Sequence, residues 1–481
     1  MAHVIINYPH VATANMMAQA LAENFPLLKT ENVFSGDLSY VKISFVLGSN
    51  SQEDLVYNHE IGLRNAKDPG AILKLNRVSY SRYGSWLRRY RVHMVNQQVI
   101  AIARQNLTDP VTGKPLPVGR RDDHPYYPVE ADDREVAKVI ALVIRTLYSL
   151  GLDIGMVKVS VDSLYRLHVI DVDPAPGLTK KTMQRYVKAI FKDATNQLTI
   201  DPKSIVMGTD PEFMLANSKS GNLVPASYFF PRAGEVGCDN IRMPNRKHRP
   251  VAEFRPYPSS NPYGLVENLK KSMHKANRLA PYRNLKWVAG VMPLGYPIGG
   301  HIHFSGIPLN NHLLRALDTY LALPLSMLEP SRASRDRRRR YGLLGEFRTK
   351  THGGFEYRTP SSWLIDPEIT LGALSLGYII ATGYNRLPTD LLMYQQAQDR
   401  FYAGDQEYFQ PFIDQLWKQI QTLPGFREYN LSLEPLFDTI RKGEPWDENI
   451  DIRKTWGLPI PQLIYKDEST KLVPNTISRQ R

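Results

Sequence analysis

Apolar residues recur along this chain with two spacings, and the spacings divide it into elements. From Arg134 to Leu150 the positions Val136, Val139, Ile140, Val143, Ile144 and Leu147 fall three and four apart, which predicts a helix. The same spacing predicts helices over 12–24, 181–194, 263–279, 310–328 and 367–384. Short β-type apolar runs predict strands near 41–47 and 71–75, and two more strands are expected in GMVKVSV and YRLHVIDVD. RVHMVNQQVIAIA carries two alternating runs around Asn96-Gln97 and predicts a hairpin. Residues 123–130 are polar and proline-rich and are expected as a loop, DPKS (201–204) as a linker, and 466–481 as a frayed polar tail. The order of elements predicts an α/β unit over 1–200 and an α+β unit over 201–465. No repeat of fixed period is visible.

The second unit writes one short grammar four times: charged residue, spacer, charged residue. It occurs as Asp210/Glu212 in GTDPEF, Glu253/Arg255 in VAEFRP, His301/His303 in GGHIHFSG and Glu356/Arg358 in FEYRTP. On a strand, residues i and i+2 share a face, so Phe213, Phe254, Ile302, Phe304, Phe355 and Tyr357 are expected on the buried side. One such pair is ordinarily a solvated sheet face. Four in one unit, two of them after paired glycines, point to a site whose ligand approaches the backbone closely. Carboxylates gathered with an imidazole suit Mg²⁺ or Mn²⁺ better than structural zinc. The nearby arginines of SRASRDRRRRYG and GEFRTK, namely Arg335, Arg337 to Arg340 and Arg348, offer planar forks for phosphate oxygens. Acids holding metal beside arginines holding phosphate is the equipment of phosphoryl transfer.

Composition narrows the classes. With 481 residues, 42% apolar and 22% charged, the chain has room for two or three globular domains. The start lacks a signal-peptide pattern, and the longest apolar stretch, ITLGALSLGYIIATGY, is too short for a bilayer and is expected as a buried helix. A single cysteine, Cys238, rules out an intrachain disulfide and suits a reducing cytoplasm. A net charge of +13 fits anionic nucleotides as well as nucleic acid, and the acid-rich motifs favour the former.

The order GTDPEF, VAEFRP, GGHIHFSG, then YGLLGEFRTKTHGGFEYRTPSSWL resembles the glutamine-synthetase-like carboxylate–amine ligases, especially their phage-encoded amidoligase branch, over about residues 205–400. The resemblance implies a curved antiparallel sheet and an ATP- and Mg²⁺-dependent enzyme that forms an amide through an acyl phosphate. It implies Asp210, Glu212, Glu253, His301 and Glu356 as metal ligands. Arg358, Arg348, Arg335, Arg340 and His303 would face the nucleotide, and Asp239 of VGCDN the incoming amine. The partners implied are a small-molecule or peptide carboxylate and an amine, in the host cytoplasm if the gene is a phage's. Relatives of this fold often form rings, which leaves an oligomer open.

ILKLNRVSYSRYGS, RYRVHMVNQQVIA and YRLHVIDVDPAPG resemble an ATP-grasp domain over about 70–195, which implies Lys74 and Arg91 on nucleotide and Asp171 and Asp173 on metal. Here Asp-x-Asp stands in place of the family's Glu-x-Asn, and Lys158 where relatives often carry an acid. Three alternatives remain: a guanidino-kinase-like phosphotransferase, which shares the C-terminal fold, a basic nucleic-acid-binding protein using Arg335–Arg340, and a catalytically dead scaffold.

Overall fold

The computed structural model describes residues 2–25, 30–33, 41–47, 54–109, 111–113, 116, 125–130, 133–244 and 247–466. The expected tail, apart from Lys466, lies outside the described residues, as do positions 123 and 124 of the expected loop. Helices and sheets are mixed throughout.

The N-terminal part holds two sheets. Strands β1 (Ala2–Tyr8), β2 (Thr30–Val33), β3 (Val41–Leu47) and β4 (Leu55–Tyr57) run in the order β2-β3-β1-β4. Helix α1 (Val11–Asn24) packs on α5 (Lys180–Leu198), and Val4, Ile6, Leu21, Tyr186 and Ile190 share a core. Strands β5 (Arg88–Val95), β6 (Gln98–Asn106), β7 (Tyr127–Pro128), β8 (Ile154–Val161) and β9 (Leu167–Asp173) form an antiparallel sheet in the order β7-β6-β5-β8-β9. Its β5–β6 hairpin turns at Asn96, as the alternation predicts. Helix α4 (Arg134–Leu150) lays Val136, Val139, Val143 and Leu147 on Val92, Val157, Val159 and Val169. The Asp133 side chain caps its start by accepting from Glu135 N–H, and Gly151, at φ 82°, ends it.

One expected strand is a helix. Residues 71–75 lie in α3 (Gly70–Leu75), after α2 (Glu60–Lys67). A short apolar run without alternation is compatible with either state, and burial of Ile72 and Leu73 on one side decides it. Within the described part of the expected 123–130 loop, Tyr127–Pro128 adds a short strand to the sheet edge.

The C-terminal part also holds two sheets. One has the order β10 (Val206–Thr209), β16 (Ile302–Ser305), β18 (Phe355–Tyr357), β17 (Phe347–Thr349). The other has the order β12 (Leu223–Val224), β11 (Glu212–Asn217), β14 (Val251–Phe254), β13 (Val236–Cys238), with β15 (Leu285–Val288) also paired to β11. Behind them pack α6 (Pro262–Leu279), α7 (Asn311–Leu317), α8 (Leu323–Ser326), α9 (Ser331–Arg338) and α10 (Pro367–Gly383). The expected 310–328 helix is broken by a π turn over Asp318–Ala322. The stretch in α10 is a buried helix, and among the described residues no helix is long and apolar enough to cross a membrane.

The two parts meet through buried polar contacts. Arg315 pairs with Asp153 at 2.8 Å, Asn311 donates to Leu152 O at 3.0 Å, and Asn76 donates to Gln398 at 2.7 Å. His312 lies in this seam, and burial, then the charge of His59, pushes its imidazole down to about 4. The fold thus favours the neutral ring relative to an unfolded value near 6.5. Its contribution to stability is whole above that value and is lost as pH falls towards about 4. Melting temperature followed from pH 8 to 4.5 is expected to drop through this window, and His312→Gln to flatten the drop; an unchanged slope in the variant removes His312 as its source.

Candidate active site

The charged pairs are positioned by register. Across the first C-terminal sheet, Gly208, His303, Glu356 and Arg348 lie directly opposite one another in successive strands. Across the second, Glu212 faces Glu253, which faces Gly237. Directly opposed residues on one sheet face stand about 4.5–5.5 Å apart, so the pairing itself gathers acids. Their neighbours Phe213, Phe254, Ile302, Phe304, Phe355 and Tyr357 are buried together in one core, as alternation predicts.

The first pair departs from expectation. Asp210 and Glu212 do not share a strand face. Strand β10 ends at Thr209, β11 begins at Glu212, and Asp210-Pro211 is the step from one sheet to the other. Asp210 N–H reaches His301 O, and Glu212 N–H donates to Gly299 O at 2.9 Å. The two acids therefore enter different groups. Ligand atoms of Asp210, His303 and Glu356 lie within 4.8 Å of one another, and so do those of Glu212, Asp239 and Glu253.

His301, expected among the ligands, sits behind the first group. Its Nδ1 contacts Asp210 Oδ1 at 2.8 Å, and its Nε2 is hydrogen-bonded to Tyr341 Oη. A carboxylate only accepts, so Nδ1 carries the proton and Nε2 accepts from the phenol. Tyr341 in turn accepts from Arg358 Nη2 at 2.8 Å, and Arg358 Nε stands 3.4 Å from Glu356 Oε1. His303, expected on the nucleotide, instead turns Nε2 towards Asp210 and Glu356 at 3.2 and 3.9 Å and makes no hydrogen bond with it. Glu356 Oε2 faces Lys350 Nζ at 2.5 Å as an ion pair outside hydrogen-bond geometry.

Electrostatics differ between the groups. Burial opposes ionisation of Asp210, yet His301 and His303 hold its carboxyl well below the usual range. Burial, and then the charge of Asp239, push Glu212 well above it. Two full charges 4.8 Å apart repel by about 3 kcal/mol at an effective dielectric constant of about 20. The second group is thus short of positive charge: Arg255 pairs with Glu253, and the charge of Arg337 acts on Glu212 without offsetting its burial.

Both groups border a cavity of about 530 Å³, whose wall includes Asp210, Asp239, Glu253, Arg255, His303, Arg348, Lys350 and His352. The arginines divide in a way the run in the sequence does not show. Arg337 is fully buried and donates to Ile298 O, Thr359 O and Pro360 O at 2.8–2.9 Å. Arg338 is buried against Glu329 at 2.8 Å. Arg335 and Arg339 pair with Asp336, and Arg340 reaches Gly295 O; neither Arg335 nor Arg340 lines the cavity. Arg255, paired with Glu253 in the sequence pattern but given no role there, and Lys350, which the pattern did not single out, do line it. The paired glycines also have another cause. A Cβ on Gly299 would strike the His301 ring, one on Gly300 Ser361 O and Trp363, and one on Gly354 Phe304 O. They make room for packing of the protein's own groups.

In the N-terminal sheet Asp171 pairs with Lys158 at 2.8 Å, Asp173 accepts from Ala175 N–H, and the Arg91 guanidinium stacks on Tyr126. Lys74, on α3, borders an open cleft with Arg339 and Asp399. Among the described residues, neither Asp171 nor Asp173 belongs to a group of three metal-binding side chains.

A family model described as phage phiEco32-like COOH.NH2 ligase-type 2 matches residues 207–458, just over half of the 481. The chain belongs to this carboxylate–amine ligase family. No curated protein matches this ligase. Among solved structures it is similar to the ATP-grasp ligase PsnB complexed with minimal precursor, at 10% identity over 39% of this chain and 98% of that one, TM-score 0.25. It is similar to a bifunctional glutathione synthetase from Pasteurella multocida at 12% identity over 54% of this chain and 49% of that one, TM-score 0.33. A third is macrocyclase MdnC bound with precursor peptide MdnA from Microcystis aeruginosa MRC, at 10% identity over 40% and 100%, TM-score 0.26. At scores of this size these likenesses decide neither fold nor function.

One buried carboxylate ties the ligase's parts together behind the site. Asp318, in the π turn, accepts from Tyr148 of α4 and from Tyr357 of β18, each at 2.6 Å. Burial raises its carboxyl to about 6 despite both phenols. Tyr148→Phe or Tyr357→Phe removes one donor and keeps the ring. Each is expected to lower stability by about 1–3 kcal/mol, read as a shift of the urea midpoint; a shift within error would mean that the phenols hold nothing.

Proposed function

We propose that the cavity at the junction of the two C-terminal sheets joins a carboxylate to an amine, with ATP converting the carboxylate to an acyl phosphate. The observation that supports this most is the pair of acid groups bordering one cavity whose remaining walls carry Arg255, Arg348 and Lys350. The donor sets fit hard cations, being oxygen-rich with one imidazole, and His303 Nε2 is a buried nitrogen without a hydrogen bond. Asp210, His303 and Glu356 would hold one Mg²⁺ (or Mn²⁺), and Glu212, Asp239 and Glu253 another. Bound there, the ions supply neutralisation of phosphate charge.

The chain's own residues do the rest. Arg348 and Lys350 enter from one side and Arg255 from the other, where each can bind phosphate oxygens. His301 fixes Asp210, and Tyr341 fixes Arg358 beside Glu356, so the acids are held in place before substrate arrives. Asp239, expected at the amine, is read here as a ligand because of the company it keeps. Cys238 is no nucleophile: burial raises its thiol to about 11, and Sγ donates to Phe230 O. We read residues 1–200 as an ATP-grasp-like unit whose Asp171 is engaged by Lys158, and 201–465 as the glutamine-synthetase-like ligase unit. Arg337 and Arg338 are buried, which takes them from a nucleic-acid surface. Action in the cytoplasm fits the lone thiol.

Phosphate release from Mg-ATP, measured against amino acids, polyamines and short peptides, tests the reading. It is expected only with both an acid and an amine present; a stable phosphorylated product without amide would make the protein a kinase. Glu356→Gln should lower turnover by at least about a hundredfold with an unchanged circular dichroism spectrum, while Asp171→Ala stays active. Normal turnover in Glu356→Gln would exclude the site. Mn²⁺ titration followed by electron paramagnetic resonance is expected to show two sites per chain, one of them weakened at least about tenfold by Asp239→Asn. Identical titrations would return Asp239 to another role.

A further inference from the structure

Strand β17 separates the catalytic cavity from a second hollow of about 440 Å³. One side of that hollow is α4, through Ile140, Ala141 and Ile144; the other is β17, through Phe347 and Thr349. Arg348 borders both spaces. These α4 residues form the rim of the core that buries Val136, Val139, Val143 and Leu147: Ile140 and Ile144 pack against it and stay half-buried, and Ala141 is exposed. The apolar stripe of the helix therefore continues from the core into the hollow.

The β17 side is a sheet edge. Among the described residues β17 pairs with β18 alone. Ladder bonds join Glu346 O to Arg358 N–H and Lys350 N–H to Gly354 O, and antiparallel alternation puts the next pair at Arg348. The N–H and C=O groups of Phe347 and Thr349 therefore point away from β18, and neither residue's backbone bonds another described residue on that side. A free strand edge beside an apolar floor complements one ligand chemistry: an extended peptide that pairs with the edge and lays alternate side chains on the floor. A small apolar acid would cover the floor but leave the edge unpaired. The Arg348 guanidinium, largely exposed, borders both spaces and stands 3.6 Å from Glu356, and its fork suits a further carboxylate.

We propose that the cleft between α4 and β17 binds an extended peptide by strand addition, and that a peptide carboxylate is held by Arg348 at the border of the catalytic cavity. Strand addition stands on the edge and the floor; only the chemistry at the carboxylate rests on the ligase reading. The test is binding of the full chain, without nucleotide, to an array of short peptides with apolar residues at alternate positions and free C-termini. The strongest binder is then followed by fluorescence anisotropy. Thr349→Pro deletes one outward N–H, and Ala141→Trp fills the floor. Each is expected to weaken binding about tenfold. Methylating the peptide nitrogens that face the edge should do the same, and methylating the intervening ones should not. If Thr349→Pro disturbs the circular dichroism spectrum, Ala141→Trp and the methylated peptides decide. No binding across the array, or equal loss from both methylation patterns, overturns the proposal. Peptide binding with these patterns but without ATP-dependent phosphate release would remove the ligase reading and leave strand addition standing.

Discussion

Five carboxylates, from Asp210, Glu212, Asp239, Glu253 and Glu356, are gathered where two sheets meet, and four of them are almost out of contact with water. Like charges so placed oppose folding unless something positive joins them. Much of the surrounding structure answers that constraint. Imidazoles stand against Asp210, Lys350 and Arg358 against Glu356, and Arg255 against Glu253. What remains uncompensated is greatest at Glu212, where burial and the charge of Asp239 hold the carboxyl well above the usual range.

Holding such groups in place requires stiffness behind them. Arg337 supplies part of it by bonding three carbonyls from two separate loops, one from each nitrogen of its planar guanidinium. Asp318 supplies another part, linking α4 to the strand that bears Glu356. The N-terminal part thus buttresses the active strand through Tyr148, whose ring Gly345 accommodates for want of a side chain. Arg315, paired with Asp153, anchors the same seam.

The two C-terminal sheets also explain why the site opens where it does. Asp210-Pro211 carries the chain from one sheet to the other, and proline's missing N–H costs no ladder bond at the step. The change of sheet there sends Asp210 and Glu212 to different groups. The edge strand β17 then forms a thin partition, with Arg348 and Lys350 of the candidate site on one side and an apolar cleft against α4 on the other.

Periodicity alone disclosed most helices and strands, because burial of one face repeats at the period of the element. It also identified the acids and histidines that converge, since four like-patterned pairs are hard to place on a surface. It failed at 71–75, where a short apolar run carries no period. What the sequence by itself determined is which side chains each strand turns from the core. Only the tertiary structure decided which of them meet: that Asp210 and Glu212 part company, that His303 and not His301 keeps a nitrogen free, and that Arg337 and Arg338 brace loops rather than face a ligand. Those outcomes depend on strand register and on which donors reach which carbonyls, and distances between segments far apart in the chain leave no trace in local pattern.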